Sequence, residues 1–265
     1  MKSHRPTVAD LLSMKGKRQL TMLRVETLDE AEAAEAAGID LVSVPPALLG
    51  PEFREVAPTC FAFPGLEYGD YVTAEEYMRA AFEALKAGGD AVYCAAGLST
   101  VRRMREEGIP VCGHVGLIPS KATWTGGFRA VGKTAQSALE IWRQVKALEA
   151  AGAFAAEIEV VPGNVAGAIS ARTSMLMLSM GAGSGCDAQY LFAADVLGSN
   201  RGHVPRHAKI YRNFAAEHDR LQRERIAAFS EFAADVHSGS YPQERHLVGI
   251  DGAELRAFLA ELERG

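Results

Sequence analysis

Glu159, His114 and Arg24 are the side chains whose types and positions could do chemistry. Glu159 lies in the apolar run Ala155–Val161, where alternation sets it and Glu157 on one face, with Ile158 and Val160 on the other. One face of a barrel strand points inward and the other meets the surrounding helices. A carboxylate pointing inward near the carboxyl end of such a strand could act as general acid or base, or bind a metal. The competing reading is a salt-bridged structural glutamate. Glu157 sits deeper in the strand and is the weaker candidate.

Ile109-Pro-Val-Cys112 has the pattern of a short strand buried on both faces. Gly113-His114 ends that run with a flexible residue and an imidazole, and Pro119 blocks continuation. His114 is therefore placed either to meet a substrate or to hydrogen-bond a neighbouring loop. Gln19–Val25 reads as a first strand that ends in Arg24 and Glu26. The guanidinium fork suits a substrate carboxylate, while a mutual or interloop ion pair explains the same residues. Gly181-Ala-Gly-Ser-Gly185 could form a backbone-amide cradle for an anion. It lacks the Walker and GxGxxG spacings, so a plain tight turn also fits. His203, His207 and His246 have no metal-ligand spacing and read as surface or structural. There is no G-x-S-x-G nucleophile motif.

These groups need elements to hold them. Further strands are expected at Asp40–Val44, Thr59–Phe63, Asp90–Cys94 and Ser174–Ser179, with a last segment in Tyr190–Leu197. Val8–Met14 is a short amphipathic segment, and helices are expected from Thr27 to Gly38, from Thr73 to Gly88, over Ser99–Glu107 and over Thr134–Ala151. Thr27 with Glu30, and Thr73 with Glu76, have capping-box spacing. Seven or eight alternating units with near-continuous apolar strands predict a single (β/α)8 TIM barrel, an α/β fold. One domain over residues 1–265 is expected, with a helical extension from about residue 209. The Gly-rich, aromatic loop Lys121–Lys133 is longer than a plain connection and suits an active-site lid.

The bulk properties fit this picture. The 265 residues, 48% of them hydrophobic, are enough for one large core, and a net charge of −5 without a basic patch excludes a nucleic-acid surface. Cys60, Cys94, Cys112 and Cys186 lack CxxC spacing, which suggests a reducing, cytoplasmic setting. No run approaches a membrane span, and the amino terminus has no apolar core of a signal peptide.

The motifs also carry a resemblance. Ile109-Pro-Val-Cys-Gly-His-Val-Gly-Leu117 with Pro119, then Gly126-Gly-Phe and Gly132, is similar to the central signature of the ketopantoate hydroxymethyltransferases. So are Leu148-Glu-Ala-Ala-Gly-Ala153 leading to Glu159-Val-Val-Pro162, Gly181-Ala-Gly183, Gly202-His-Val-Pro205, and Ser238-Gly-Ser-Tyr-Pro242 with Glu244 and His246. The matches keep their order over most of the chain and are densest from Ile109 to Pro242. The resemblance implies a barrel of the phosphoenolpyruvate mutase/isocitrate lyase superfamily and a homo-oligomer. It implies enolisation of 3-methyl-2-oxobutanoate on Mg²⁺ and addition of a one-carbon unit from 5,10-methylenetetrahydrofolate. Glu159 would be the acid/base group and His114 would lie at the substrate.

The front half departs from that pattern. The two metal-binding aspartates of the family fall at Pro46 and Gly65, and its lysine and glutamate after the fourth strand fall at Tyr93 and Ala95. No family metal ligand is therefore assigned, and the cofactor is left open. Arg24, Lys121 or backbone amides of the Gly-rich loops, Gly181 and Gly183 among them, are the candidates to replace the metal's charge; alternatively Glu26, Glu67, Asp70 and Glu159 could build a different metal site. The expected function is an enzyme making or breaking a bond next to a small carboxylate, a 2-oxo acid first of all. The nearest activity is hydroxymethyl transfer. Two alternatives stand beside it: a metal-free, folate-free lyase on this scaffold, and a degenerate barrel that only binds.

Overall fold

The computed structural model describes residues 4–264. Eight parallel strands close into a barrel in sequence order: β1 (Leu20–Arg24), β2 (Leu41–Val44), β3 (Phe61–Leu66), β4 (Val92–Cys94), β5 (Val111–Gly116), β6 (Ala155–Glu159), β7 (Leu176–Met180) and β8 (Ala188–Phe192). β8 closes on β1 with Leu20 opposite Ala188 and Arg24 opposite Phe192. Around the barrel run α1 (Val8–Met14), α2 (Leu28–Ala36), α3 (Pro51–Val56), α4 (Ala74–Lys86), α5 (Leu98–Glu106), α6 (Ala122–Thr125), α7 (Ala135–Ala150), α8 (Gly163–Ser170) and α9 (Ala193–Leu197). This is a (β/α)8 TIM-type barrel. Residues from Asn213 onward form a second compact unit with α10 (Phe214–Ser238) and α11 (Gly252–Leu262), and none of its described residues is buried.

The period of two is visible strand by strand. Leu20 and Met22, Leu41, Phe61 and Phe63, Cys112, Ala155, Leu178 and Ala188 fill the barrel interior. The intervening residues, such as Val92, Val111, Ala156 and Ile158, pack outward against the helices. Continuing the inward rows toward the carboxyl ends replaces apolar side chains with Arg24, Ser43, Tyr93, His114 and Glu159. The layered interior thus raises a polar ring at the face where barrels carry chemistry.

Several local outcomes differ from the sequence expectation. β5 does not end at Gly113-His114 but runs through both to Gly116. A Cβ at Gly113 would lie 2.9 Å from both methyls of Leu148, so this glycine lets α7 approach the strand and does not terminate it. α8 has no counterpart in the expected elements; its Gly163 and Gly167 weaken the helical pattern. β7 passes to β8 through residues 181–187 without a helix between them. In that strap a Cβ on Gly183 or Gly185 would stand 2.9 or 2.8 Å from the Cα of Gly163 or Gly167. The last barrel strand also comes earlier than Tyr190, and Ala193 already begins α9.

Of the two expected capping boxes, the one at Thr73 is complete, while at Thr27 the side chain accepts from the Glu30 amide but the Glu30 carboxylate takes the Glu26 amide instead. Thr73 accepts from the Glu76 amide while the Glu76 carboxylate takes the Thr73 amide, and Thr134 and Ser137 repeat the arrangement before α7. The far end of α7 is tied down by Glu149, which accepts from Thr173 Oγ1 (3.0 Å), Ser174 N (2.6 Å) and Ser174 Oγ (2.7 Å) and pairs with Lys146. Burial alone would raise its pKa, but the bonds from Lys146, Ser174 and Thr173 outweigh it and hold the carboxyl at about 2. An unfolded glutamate titrates near ~4.3. The stability Glu149 contributes is therefore full above that pH and lost as pH falls toward 2. Thermal melts of wild type and Glu149→Gln should converge as pH is lowered through this window and differ most near neutrality.

Candidate active site

A cavity of about 410 Å³ opens at the carboxyl ends of the strands. Its walls include Arg24, Ser43, Tyr93, His114, Glu157 and Glu159, each from the inward row of a different strand except the two glutamates of β6. The residues are far apart in the chain and meet only because the barrel closes.

Three of them form a connected group. Tyr93 Oη lies 2.6 Å from His114 Nδ1, and His114 Nε2 lies 3.1 Å from Glu159 Oε2. The second contact has the distance of an ion pair but not the alignment of a hydrogen bond, and Nε2 is otherwise buried without a partner. Glu157 lines the same cavity on the neighbouring strand. Burial, then the charge of Glu157, push the Tyr93 phenol well above its usual range, so it stays protonated. A tyrosine proton given to Nδ1 leaves Nε2–H of the neutral ring facing Glu159. Burial pulls the His114 pKa down, but Glu157 and Glu159 more than restore it, and it ends above the ordinary value. Glu157 moves up as well, chiefly by burial and then by the neighbouring Glu159. Removing the tyrosine hydroxyl (Tyr93→Phe) should free the imidazole to take the wrong tautomer. Turnover should fall by about 10–100-fold, the usual cost of losing an orienting partner, with melting temperature little changed. Steady-state kinetics beside a thermal melt would check this.

Backbone strain sits directly after the glutamate. Val160 has φ +50°, the left-handed region that a β-branched residue rarely occupies. It is held there by hydrogen bonds from Val160 N to Met180 O (2.9 Å) and from Val131 N to Val160 O (3.2 Å). This turn ends β6 abruptly and leaves Glu159 at its rim.

The Arg24 side chain is largely buried yet keeps polar company. Its Nε donates to Glu26 Oε1 at 2.6 Å and its Nη1 to Ser43 Oγ at 3.3 Å. The ion pair with Glu26 that the sequence offered as one reading is present, and both residues line the cavity. Lys121 does not line it. Its Nζ donates to Ala95 O at 2.6 Å and stands over the Tyr68 ring, on a neighbouring cavity that shares His114. Gly181 borders a further cavity that shares Glu159, and a Cβ there would collide with His207 at 2.6 Å. Gly183 faces Gly163 and borders neither. Of the two readings of 181–185, an anion cradle or a tight turn, the strap packs Gly183 and Gly185 against α8 and Gly181 against His207. His207, read from sequence as a surface or structural residue, lines the cavity beside Glu159. Burial lowers its pKa. Ser43 and Tyr190, also on the wall, had no sequence signal beyond their inward parity. The Lys121–Lys133 segment starts with a short helical stretch, α6, which the loop composition did not indicate.

The donors for a metal are unlike those the resemblance implies. Pro46 and Gly65 offer no side-chain ligand, and neither does Ala95. At Gly65 the space is already taken: a Cβ would stand 3.1 Å from Arg24 Nη1. A Mg²⁺ site needs several oxygen donors in octahedral array, and these positions do not fit one. A different set does exist, since ligand atoms of His114, Glu157 and Glu159 lie within 4.8 Å of one another. An imidazole with two carboxylates suits a transition metal or zinc better than magnesium.

Comparison with known proteins places this geometry. Residues 54–244 match the family model described as ketopantoate hydroxymethyltransferase. The 3-methyl-2-oxobutanoate hydroxymethyltransferase of Nitratidesulfovibrio vulgaris is 31% identical over 97% of this chain and 90% of its own length. That of Thermus thermophilus is 35% identical over 91% of this chain and 99% of its own. Among solved structures, oxaloacetate acetylhydrolase in complex with the product oxalate aligns with a TM-score of 0.54 at 12% identity, over 88% of this chain and 97% of that one. A putative phosphonomutase from Burkholderia cenocepacia aligns at 0.50 and 13%, over 85% and 99%. Those two share the fold. The sequence matches carry the assignment: this chain is an enzyme of the ketopantoate hydroxymethyltransferase family.

Proposed function

We propose that the enzyme makes a carbon–carbon bond next to the carbonyl of a small 2-oxo acid, with hydroxymethyl transfer to 3-methyl-2-oxobutanoate as the reaction. The observation that carries this is the placement of Glu159 at the rim of β6, beside His114, on the wall of a cavity that also holds a buried guanidinium. Glu159 takes the proton from the carbon next to the carbonyl. The C–H electron pair becomes the C=C bond of the enolate, and the negative charge moves to the former keto oxygen. The enolate C=C pair then forms the new bond to the carbon of a formaldehyde unit released by the one-carbon donor. The keto C=O re-forms, and the π pair of the formaldehyde C=O collapses onto its oxygen, which takes the proton from Glu159 and becomes the new hydroxyl. His114, oriented by Tyr93, has an N–H available for a substrate oxygen or for Glu159.

A second reading, a lyase that runs bond cleavage at the same carbon without folate, is favoured by one specific feature: Pro46, Gly65 and Ala95 stand where the resemblance places metal ligands. Proton exchange at C3 of 3-methyl-2-oxobutanoate in D₂O, followed by NMR, tests the first reading. Exchange with the wild-type enzyme supports it. Its absence both with Mg²⁺ and, in a separate sample, with chelator would remove this substrate and leave the lyase reading.

The proposal extends to setting and assembly. None of the four cysteines is in a disulfide, which supports a reducing cytoplasm. No described helix is long and apolar enough to cross a membrane. A homo-oligomer is supported by α10, where Ile226, Phe229, Phe232 and Val236 are exposed apolar residues. Light scattering should give a mass above 28.4 kDa, and Phe229→Ser with Phe232→Ser should lower it.

A further inference from the structure

We propose that Arg24 supplies, in place of the Mg²⁺ that the resemblance implies, the positive charge that binds the anionic oxygens of the substrate at the barrel mouth. This deepens the reading above and rests on its assumption of a small carboxylate substrate.

Three observations carry it. The strand ends around this side of the cavity present Ser43, Gly65 and Ala95, none of which offers a carboxylate, and the nearest carboxylates, Glu26 and Glu67, face Arg24. The volume in front of Gly65 is filled by the guanidinium itself, whose Nη1 lies 3.1 Å from the site of an added Cβ. An added Cβ alone would ask the guanidinium to give by only a few tenths of an ångström, and a longer side chain such as aspartate would crowd it further. Finally, the guanidinium is held but not consumed. Nε is bonded to Glu26 and Nη1 weakly to Ser43, whereas the approach of Nη2 to Glu67 Oε1, 4.0 Å, is too long for a hydrogen bond. Glu26 and Glu67 are themselves 53% and 67% exposed, so water weakens their neutralising effect on a cation that is 13% exposed.

A 2-oxo acid and its enolate place a carboxylate oxygen and the adjacent oxygen in one plane. The planar fork of arginine matches two such acceptors with parallel N–H bonds, which lysine cannot do. The charge on the oxygen grows as the proton leaves, and a fixed cation in a buried site gains most at that moment.

Oxalate, a planar dianion shaped like the enolate of a 2-oxo acid, is the probe. Calorimetric titration of the full chain should show oxalate binding in EDTA, with less than about a twofold change on adding Mg²⁺. Arg24→Gln should weaken binding by about 10–100-fold, as expected for loss of a charge-assisted bidentate pair, with Arg24→Lys between the two. Gly65→Asp, which leaves Arg24 in the chain but crowds its Nη1, should weaken binding as well. Circular dichroism melts would confirm that the variants fold. Binding that requires Mg²⁺, binding unchanged in Arg24→Gln, or no binding in either condition would each overturn the proposal. If oxalate binds through Arg24 but C3 of 3-methyl-2-oxobutanoate does not exchange, the anion site stands and the proton-abstraction reading fails.

Discussion

Glu159→Gln should reduce C3 proton exchange and product formation by about 10²–10⁴-fold, the range associated with losing a positioned general base. Glutamine keeps the size of the side chain and can still meet His114, so binding should suffer far less than turnover. In a kinetic comparison kcat should collapse while KM stays within a few fold, the signature of an interaction needed in the transition state. The same variant removes the carboxylate facing His114 Nε2 at 3.1 Å. Because Glu159 helps hold the imidazole pKa up, an NMR titration should find it lower in the variant. Unchanged turnover would remove Glu159 from the mechanism. A lost melting transition would instead give the residue a structural role.

The second large effect is expected from a residue with no side chain. Gly116→Ala should destabilise the fold by roughly 3–5 kcal/mol, in the range of severe overpacking and backbone strain. Gly116 has φ +87° and pairs with Glu159 across β5 and β6. A Cβ there would stand 2.4 Å from the Glu159 carbonyl oxygen and 2.9 Å from Val161 Cγ2. The first neighbour is backbone and cannot rotate away. Relief requires the end of β6 to move, which is also where the proposed catalytic carboxylate is carried. Denaturant unfolding should show a lower midpoint at similar slope, and activity should fall in the fraction that remains folded. An alanine variant of wild-type stability would mean that the two strand ends are less tightly apposed than these distances require.

The strands and most helices were readable because their signals are local. Apolar runs of strand length alternate with capped amphipathic segments, and Thr73 with Glu76 marks a helix start without any tertiary information. The parity argument that put Glu157 and Glu159 on one face needs only an extended backbone. The failures were local signals with long-range causes. Gly113 looks like a strand terminator until Leu148, far along the chain on α7, is found against it. The glycines of 181–185 read equally as an anion loop or a tight turn, and only the fold shows α8 packed on Gly183 and Gly185. Composition cannot distinguish these cases, because a glycine serves either need.

By itself, then, the chain determined the barrel, its strand parity and the family, and it put Glu159 and His114 forward as the reacting pair. Each of these depends on periodicity or on ordered motifs, which a linear string preserves. Only the tertiary structure decided what surrounds them. Parallel strand pairing brings Tyr93 from β4 to His114 on β5 and sets Arg24 from β1 toward the gap before Gly65 on β3. Those contacts depend on the register of non-adjacent segments and on the space one side chain leaves for another, and neither quantity is written in the order of the residues.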